Sequence, residues 1–435
     1  MTGLRRELGL LDATMINVGT MVGSAIFIVP AGIALALHAT GPILIAWIVG
    51  GIVSLFGALS VAELAGAYPE AGGQYAYLRE AYGPLWGYLY GWANFAIINA
   101  ASIAAIAVGF AQYLGFFVPL GPWGVKLVAA ATIVGLTWLN ARGVRLGATT
   151  QNVLTFLKMA ALGAVVLCGL LLHGGSAAHL QPLWSGGSLK SLASPFGVAM
   201  VAVLWAYDGW IESTYVGSEI KNPGRNLPWS IIISTLIVMA LYTLVSVAYI
   251  WVLSPAKMAG SSLVAADAAQ VVLGSIGAGF IALAILVSTL GANNGIVLTA
   301  ARIPYAMAEG GLFFRWAGKV DERFATPRNA LIAQGGLAFA LVFLGSYDQL
   351  AGYVIFASWL FYAMSCAAVI HLRGAAPDQP RPYRTWGYPV TPLIFIGFAT
   401  WLVGRMVADA PLESAKGAGL LLLGIPGYLY WRRRG

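Results

Sequence analysis

Gly19-Thr20-Met21-Val22-Gly23-Ser24-Ala25-Ile26-Phe27 lies inside the first apolar segment of the chain, at about the depth of a bilayer midplane. Glycine in a helix interior costs about 1 kcal/mol relative to alanine. Two glycines and a serine at the centre of a spanning helix therefore need a reason. Two readings compete. In one, the helix is interrupted and its loose N–H and C=O groups line a protein cavity, where open backbone survives at membrane depth. In the other, Gly19-x-x-x-Gly23 lets a neighbouring helix pack closely.

Working outward from that stretch, the chain is a membrane protein throughout. Hydrophobic residues make up 59% of 435 and charged residues 9%, against about 25% charged in a soluble domain. About twelve apolar stretches are long enough to span, at about 20 residues each: 12–36, 41–65, 84–114, 122–140, 151–172, 195–218, 228–253, 274–303, 328–345, 350–371, 389–408 and 415–431. The first lacks a small-residue cleavage site, so no removable signal peptide is expected. With the N-terminus inside, 18 of the 24 Lys and Arg residues fall at cytoplasmic ends. Lys126, Lys190, Lys257, Arg405 and Lys416 fall outside, and Lys158 within a span. This bias places both termini in the cytoplasm. The net charge of +8 follows the topology and is no sign of a nucleic-acid partner. Cys168 and Cys366 both lie in spans, so no disulfide framework is expected. His38, His173, His179 and His371 are scattered near helix ends without metal-ligand spacing, so no metal or other cofactor is expected.

The second span ends in Glu63. Gln74 to Tyr82 then reads as a short amphipathic helix at the interface, with Tyr75, Tyr77 and Tyr82 near headgroup depth. Gly83, Gly87 and Gly91 form a packing stripe at the start of the third span. The sixth repeats the logic of the first: Trp205-Ala206-Tyr207-Asp208-Gly209-Trp210 sits near its middle. An aspartate at membrane depth is costly and marks a functional site by default. Interruptions five spans apart imply two five-helix halves inserted in opposite orientations, the arrangement that in transporters points to the binding site. The division expected is 1–173, 195–373 and an appended 389–435.

The chemistry follows from the two breaks. The second half of span 1 begins near Ser24, where free N–H groups carry the positive end of a helix dipole and suit a carboxylate. The first half of span 6 ends near Trp205 to Tyr207, where loose carbonyls, with those of Thr20 and Met21, suit an ammonium group. One site with both features fits the head group of an α-amino acid. Asp208 admits three roles: a cap accepting from the N–H of Trp210 or Ile211, a partner for a cationic substrate side chain, or a proton carrier with Glu212 one turn on. Lys158 lies about 10 Å into span 5. It either snorkels back to the interface or serves as a fixed cation between spans 1, 5 and 8, with Ser288 as a partner. Tyr242 in span 7 is either a gate or packing.

Leu8-Gly9-Leu10, Gly23-Ser24-Ala25-Ile26-Phe27-Ile28-Val29-Pro30, Leu204 to Trp210, and Glu219-Ile220-Lys221-Asn222-Pro223-x-Arg225-Asn226-Leu227-Pro228 resemble the amino acid–polyamine–organocation superfamily, and within it the L-type amino acid transporter family and its bacterial members. The resemblance covers nearly the whole chain. It implies an all-α LeuT fold with 12 transmembrane helices, a 5+5 inverted repeat plus two C-terminal helices, and helices 1 and 6 unwound at mid-membrane. It also implies alternating access, mostly as sodium-independent exchange. By resemblance, the N–H groups of Ser24, Ala25 and Ile26 take the substrate carboxylate, and carbonyls of Met21, Trp205 and Asp208 take the amine. Gly23, Ala206, Tyr207 and Gly209 complete the binding segments. Trp205 matches the aromatic gate, and Lys158 the lysine that stands where sodium sits in sodium-coupled relatives. Tyr242 and Ser288 match polar positions on the transport and release path. Ala25 departs from the pattern, which usually has a second glycine there, and so narrows the pocket. Ser218 and Glu219 stand where many members have two acids. Animal members pair with a glycoprotein through an extracellular cysteine after span 3. The loop from Gly115 to Trp123 has none, so no disulfide-linked heavy-chain partner is expected.

The reading is an exchanger of small to medium neutral L-amino acids in the cell (inner) membrane of a prokaryote. A proton-coupled symporter using Asp208 and Glu212, or an exchanger accepting cationic amino acids through Asp208, is the alternative. An intramembrane enzyme is disfavoured, since no paired catalytic acids, Ser–His arrangement or metal triad appears outside span 6. A nutrient sensor is disfavoured by the short tails.

Overall fold

The computed structural model describes the backbone of residues 3–172, 174–184, 186, 189–345 and 347–433. His173, Arg434 and the side chain of Lys190 lie outside the described residues. All regular structure among them is helical, and two isolated bridges, Leu8 with Ile220 and Ala71 with Val216, are the only extended pairings there. Among the described residues, eight helices are long and apolar enough to cross a membrane, nine if the bent first pair counts as one span. Large apolar side chains face outward along them, Leu127 being 60% exposed, Leu171 76% and Ile276 74%. In water such a surface would be a liability; in lipid it is the solvent-facing side.

The first apolar segment is two helices. α1 (Leu10–Met21) ends where the sequence places the interruption, and α2 (Ala25–Leu37) restarts after three residues at 45° to it. α3 (Thr40–Ala67), the short α4 (Gln74–Tyr82), and the pair α5 (Pro84–Ala93) and α6 (Asn99–Leu114) follow; a π turn at Asn94–Ile98 joins the last two. α7 (Pro122–Ala141) and α8 (Val144–Leu171) close the first half. α8 begins earlier than its apolar stretch, its first two turns carrying the exposed Arg145 and the buried Gly147 and Ala148. α9 (Leu189–Ala206) stops abruptly. The second half of span 6, expected to continue as helix to 218, instead forms two short 3₁₀ turns, Glu212–Thr214 and Gly217–Glu219. Gly209 there has φ +112, and side chains compete for the backbone: Ser213 N–H donates to Asn17 Oδ1 at 2.7 Å and Thr214 Oγ1 to the Ile211 carbonyl at 2.7 Å. Such local bonds offer an alternative to helix.

α10 (Pro223–Ala259) is broken at Ser254, φ 67. Pro255 follows, and a residue before proline is pushed out of the helical region. α11 (Val264–Leu273), α12 (Ile276–Ala300), α13 (Arg302–Glu309), α14 (Arg328–Leu344), α15 (Tyr347–Ala375), α16 (Val390–Asp409), α17 (Pro411–Leu422) and α18 (Gly424–Arg432) complete the chain. α1 packs against α8, α10 and α12 at the centre, so the break in the first segment lies among protein rather than lipid.

α4 is present as expected, with its tyrosines turned into the bundle. Tyr75 and Tyr77 are both fully buried, and Gln74 Nε2 donates to Ser365 of α15 at 2.9 Å. Tyr82 is half-buried, its OH donating to the Met364 carbonyl at 2.9 Å. α4 thus packs its tyrosine face against protein, chiefly α5 and α15. Its neighbour α5 shows why Gly87 and Gly91 are small: an added Cβ would sit 2.9 Å from Arg79 Cβ and 2.3 Å from Met307 Sδ respectively.

Candidate functional site

The break between α1 and α2 sorts its backbone groups onto two sides. On the side away from the cavity, Lys158 of α8 is fully buried. Its Nζ donates to the carbonyls of Gly19 (2.8 Å), Val22 (2.8 Å) and Ser288 (2.9 Å). Three acceptors use all three protons of an ammonium, so the side chain does not snorkel to the interface. Ser288 Oγ adds donations to Val22 O at 2.9 Å and Gly23 O at 3.0 Å. Tyr242 OH of α10 donates to Met21 O at 2.8 Å and Ala206 O at 3.2 Å, linking the end of α1 to the end of α9.

Toward the cavity the remaining groups are loose. The N–H groups of Ser24, Ala25 and Ile26 fall at the start of α2, where a helix has no internal acceptor, and no described hydrogen bond reaches them. The Thr20 and Asp208 carbonyls likewise accept no described bond. That of Trp205 keeps one lone pair beside the Asp208 N–H at 3.2 Å. The Met21 carbonyl, expected to face the amine, is already taken by Tyr242 and by the Gly23 N–H at 2.9 Å. Gly209 lets the two breaks approach. A Cβ there would lie 3.0 Å from Met21 N and 3.0 Å from Thr20 Oγ1. Thr20 Oγ1 also donates to the Gly209 carbonyl at 3.1 Å, so the two interruptions touch. Both readings of Gly19-x-x-x-Gly23 hold in part. A Cβ on Gly19 would meet Gln151 Nε2 at 1.9 Å, a packing role, whereas Gly23 belongs to the break.

Between the breaks lies a cavity of about 140 Å³. Of the residues singled out in the sequence, Thr20, Met21, Gly23, Ser24, Ala25, Trp205, Asp208 and Gly209 line it. Ile26 and Ala206 stand behind it. Tyr207 points elsewhere, its OH donating to the Trp47 carbonyl of α3 at 3.1 Å. Asp208 does not cap the following turn. Its Oδ1 accepts from Gly209 N–H at 3.0 Å and from Tyr362 OH of α15 at 2.6 Å. Trp210 and Ile211 are not among its partners, because the chain turns at Gly209 instead of resuming a helix.

The rest of the wall escapes a reading of spans 1 and 6. Asn94, Asn99 and Ser102 come from the π turn and α6, and Ser358 and Tyr362 from α15. The π turn brings the two asparagines to one face, and Asn99 Nδ2 donates to Asn94 Oδ1 at 3.2 Å. Two asparagines five residues apart in an apolar span are the sequence signal of that turn. Glu212 lines the floor and accepts from Thr299 Oγ1. Below it, Tyr90 and Tyr215 share a hydrogen bond of 2.7 Å. No lysine or arginine lines the cavity among the described residues.

The cavity is open at one end and sealed at the other. Trp205 at its outer rim is 45% exposed, while Gln74, Tyr90 and Tyr215 at the α4 end are buried. Below that floor, Glu7 and Leu8 N–H donate to the Glu219 carbonyl at 2.9 and 3.0 Å. Glu219 itself pairs with Arg302 at 2.7 Å, both fully buried. Glu63 holds Arg373 at 2.6 Å and the Thr385 N–H at 2.7 Å, tying α3 to the loop between α15 and α16.

This fold and cavity define a membrane carrier for a small dipolar guest. The chain belongs to the amino acid permease family, whose profile matches residues 8–411. It is 35% identical over 418 residues to a b(0,+)-type amino acid transporter 1 of Mus musculus, covering 95% of this chain and 84% of that one. It is 31% identical over 435 residues to a serine/threonine exchanger of Bacillus subtilis (strain 168), covering 99% and 98%. A cystine/glutamate transporter of Pongo abelii is 30% identical over 430 residues, covering 98% and 85%. The chain is accordingly an amino acid transporter of the membrane and not an enzyme.

Proposed function

We propose that the protein exchanges small to medium neutral L-amino acids across the cell membrane by alternating access without sodium. The observation that carries this is the facing of unpaired N–H groups at Ser24, Ala25 and Ile26 by free carbonyl lone pairs at Thr20, Trp205 and Asp208. A carboxylate and an ammonium on one carbon satisfy both ends at once. The name of the Bacillus relative, a serine/threonine exchanger, supports a small substrate. Lys158 occupies with three bonds the place a bound cation would fill, which supports sodium independence.

On this reading the architecture is the LeuT fold with 12 crossings. The bent α1–α2 pair and the eight long spans are completed by α9, α14 and the pair α17–α18. Residues 1–173 and 195–373 form inverted repeats, followed by 389–435, with both termini in the cytoplasm of a cell whose inner membrane holds the protein. Trp205 is the gate over the substrate, standing open, and Tyr242 and Ser288 hold the break during closure. No heavy-chain partner is required.

A second reading is favoured by one observation: Asp208 and Glu212 share the cavity with no basic residue among the described ones. Asp208 would then admit a cationic side chain, or the two would carry a proton. Radiolabelled serine uptake into liposomes separates these. Exchange needs unlabelled amino acid inside and no sodium. Uptake into empty liposomes driven by a pH gradient would replace it with proton symport.

A further inference from the structure

At the sealed end of the molecule, beside the pairing of Leu8 with Ile220, lies an open cleft of about 810 Å³. The segment before α1, the start of α10 and the loop between α15 and α16 form its walls. Arg6, Arg225 and Arg384 line it, and all three are exposed. None of them is within ion-pair distance of a carboxylate among the described residues, although Arg79, Arg302, Arg328, Arg373, Arg381 and Arg405 all are. The unpaired arginines of three separate chain segments thus converge on one opening.

Two tryptophans stand at the same cleft. Trp229 is 40% exposed and Trp386 55%, with ring centroids 6.0 Å apart. Tryptophan is enriched at headgroup level in membrane proteins. Trp229 lies six residues into α10, about 9 Å along its axis, so the cleft runs from ring depth out to the arginines in water. Its frame is stiff: Pro223, Pro228 and Pro382 line it, and a Cβ on Gly224 would meet Pro382 Cγ at 3.0 Å.

A guanidinium fork matches phosphate oxygens in pairs, and basic clefts at the cytoplasmic face of membrane helices hold anionic headgroups. We propose that this cleft binds the phosphate of an anionic glycerophospholipid, with the glycerol region against Trp229 and Trp386. The charges need an anion, and the indoles need a ligand with an apolar end at membrane depth. A lipid supplies both, a free phosphate only the first. Binding here does not depend on how transport is coupled.

Native mass spectrometry of the full chain in detergent, titrated with phosphatidylglycerol or phosphatidylcholine, tests this. Phosphatidylglycerol should bind at least about tenfold tighter, and each of Arg6→Gln, Arg225→Gln and Arg384→Gln should weaken it about fivefold. Arg225→Lys with Arg384→Lys keeps the charge and perturbs folding least; it should weaken phosphatidylglycerol binding less than the matching double glutamine variant, the remaining loss being that of the guanidinium forks. Inorganic phosphate and glycerol 3-phosphate at millimolar concentration should not displace the lipid. Equal binding of the two lipids, unchanged binding in the triple glutamine variant, or full displacement by inorganic phosphate would each overturn the proposal. The last of these would assign the cleft to a soluble anion.

Discussion

Lys158→Ala is the sharpest perturbation of the site, because one nitrogen ties three buried carbonyls on two other segments. The three do not suffer equally. Val22 O retains the Ser288 hydroxyl, and Ser288 O lies inside the ladder of α12. Gly19 O loses its described side-chain partner at the broken end of α1. A buried acceptor left without a partner costs about 1–3 kcal/mol. The space vacated by the lysine stem adds at least about 2 kcal/mol, the low end for a large buried side chain cut to alanine. The total, about 3–5 kcal/mol, is a large share of the stability of many domains. Water will enter and the break will relax, which leaves a loss near the lower bound. The substrate-facing groups lie on the opposite side of the chain, so affinity should change little. Reorganisation of the break during release should suffer. If only about 1.4 kcal/mol of the loss enters that barrier, exchange slows about tenfold. The assay pairs thermal unfolding in detergent with exchange in proteoliposomes, with Lys158→Gln as an intermediate that supplies two donors on a shorter stem. External alkylammonium ions should partly rescue the alanine variant. A variant with wild-type melting and wild-type exchange would refute the reasoning, since the bared carbonyl would then have found a partner that the structure does not provide.

Ala25→Gly removes a buried methyl from the cavity wall, and competition by a series of amino acids of increasing size should shift toward larger side chains; an unaltered series would dismiss Ala25 as the limiting contact. Asp208→Asn keeps an oxygen able to accept from Tyr362 and Gly209 while removing the charge. Neutral exchange should stay within about threefold, a modest change of under about 1 kcal/mol, and inhibition by lysine or arginine should disappear if Asp208 meets a cation. Arg302→Ala strands Glu219 at the sealed end, where removing one partner of a buried ion pair costs about 3–5 kcal/mol. The sealed end should loosen, seen as faster labelling of a cysteine introduced at Ser218, and equal labelling rates would contradict a sealing role.

The interruption in the first span was legible because glycine and serine at mid-membrane serve little purpose besides an opened backbone or a close helix contact, and α1 does end at Met21. Lys158 was legible only as a choice between snorkelling and a fixed cation, and its burial against three carbonyls decides for the second. The remainder of the wall was hidden. Asn94 and Asn99 reach one face only through a π turn, and a helical period of 3.6 would separate them by about 140°. The irregular course after Ala206 depends on Asn17 of α1 capturing the Ser213 N–H, a bond between residues 196 apart that no local pattern encodes. The burial of Tyr75 and Tyr77 was hidden too, because tyrosine at a span end suits both lipid headgroups and protein, and only the packing of α15 and α13 against α4 shows which the rings meet.

A hydroxyl has a single proton to give, and Tyr242 offers its one to two termini at once. When the first and sixth segments move apart, one of them must surrender its share, and the other then gains a full-strength bond. The two interruptions are in that sense rivals for one contact. On the proposed alternating-access reading, positions in which neither claim is honoured would be disfavoured, favouring discrete stances over a continuous drift.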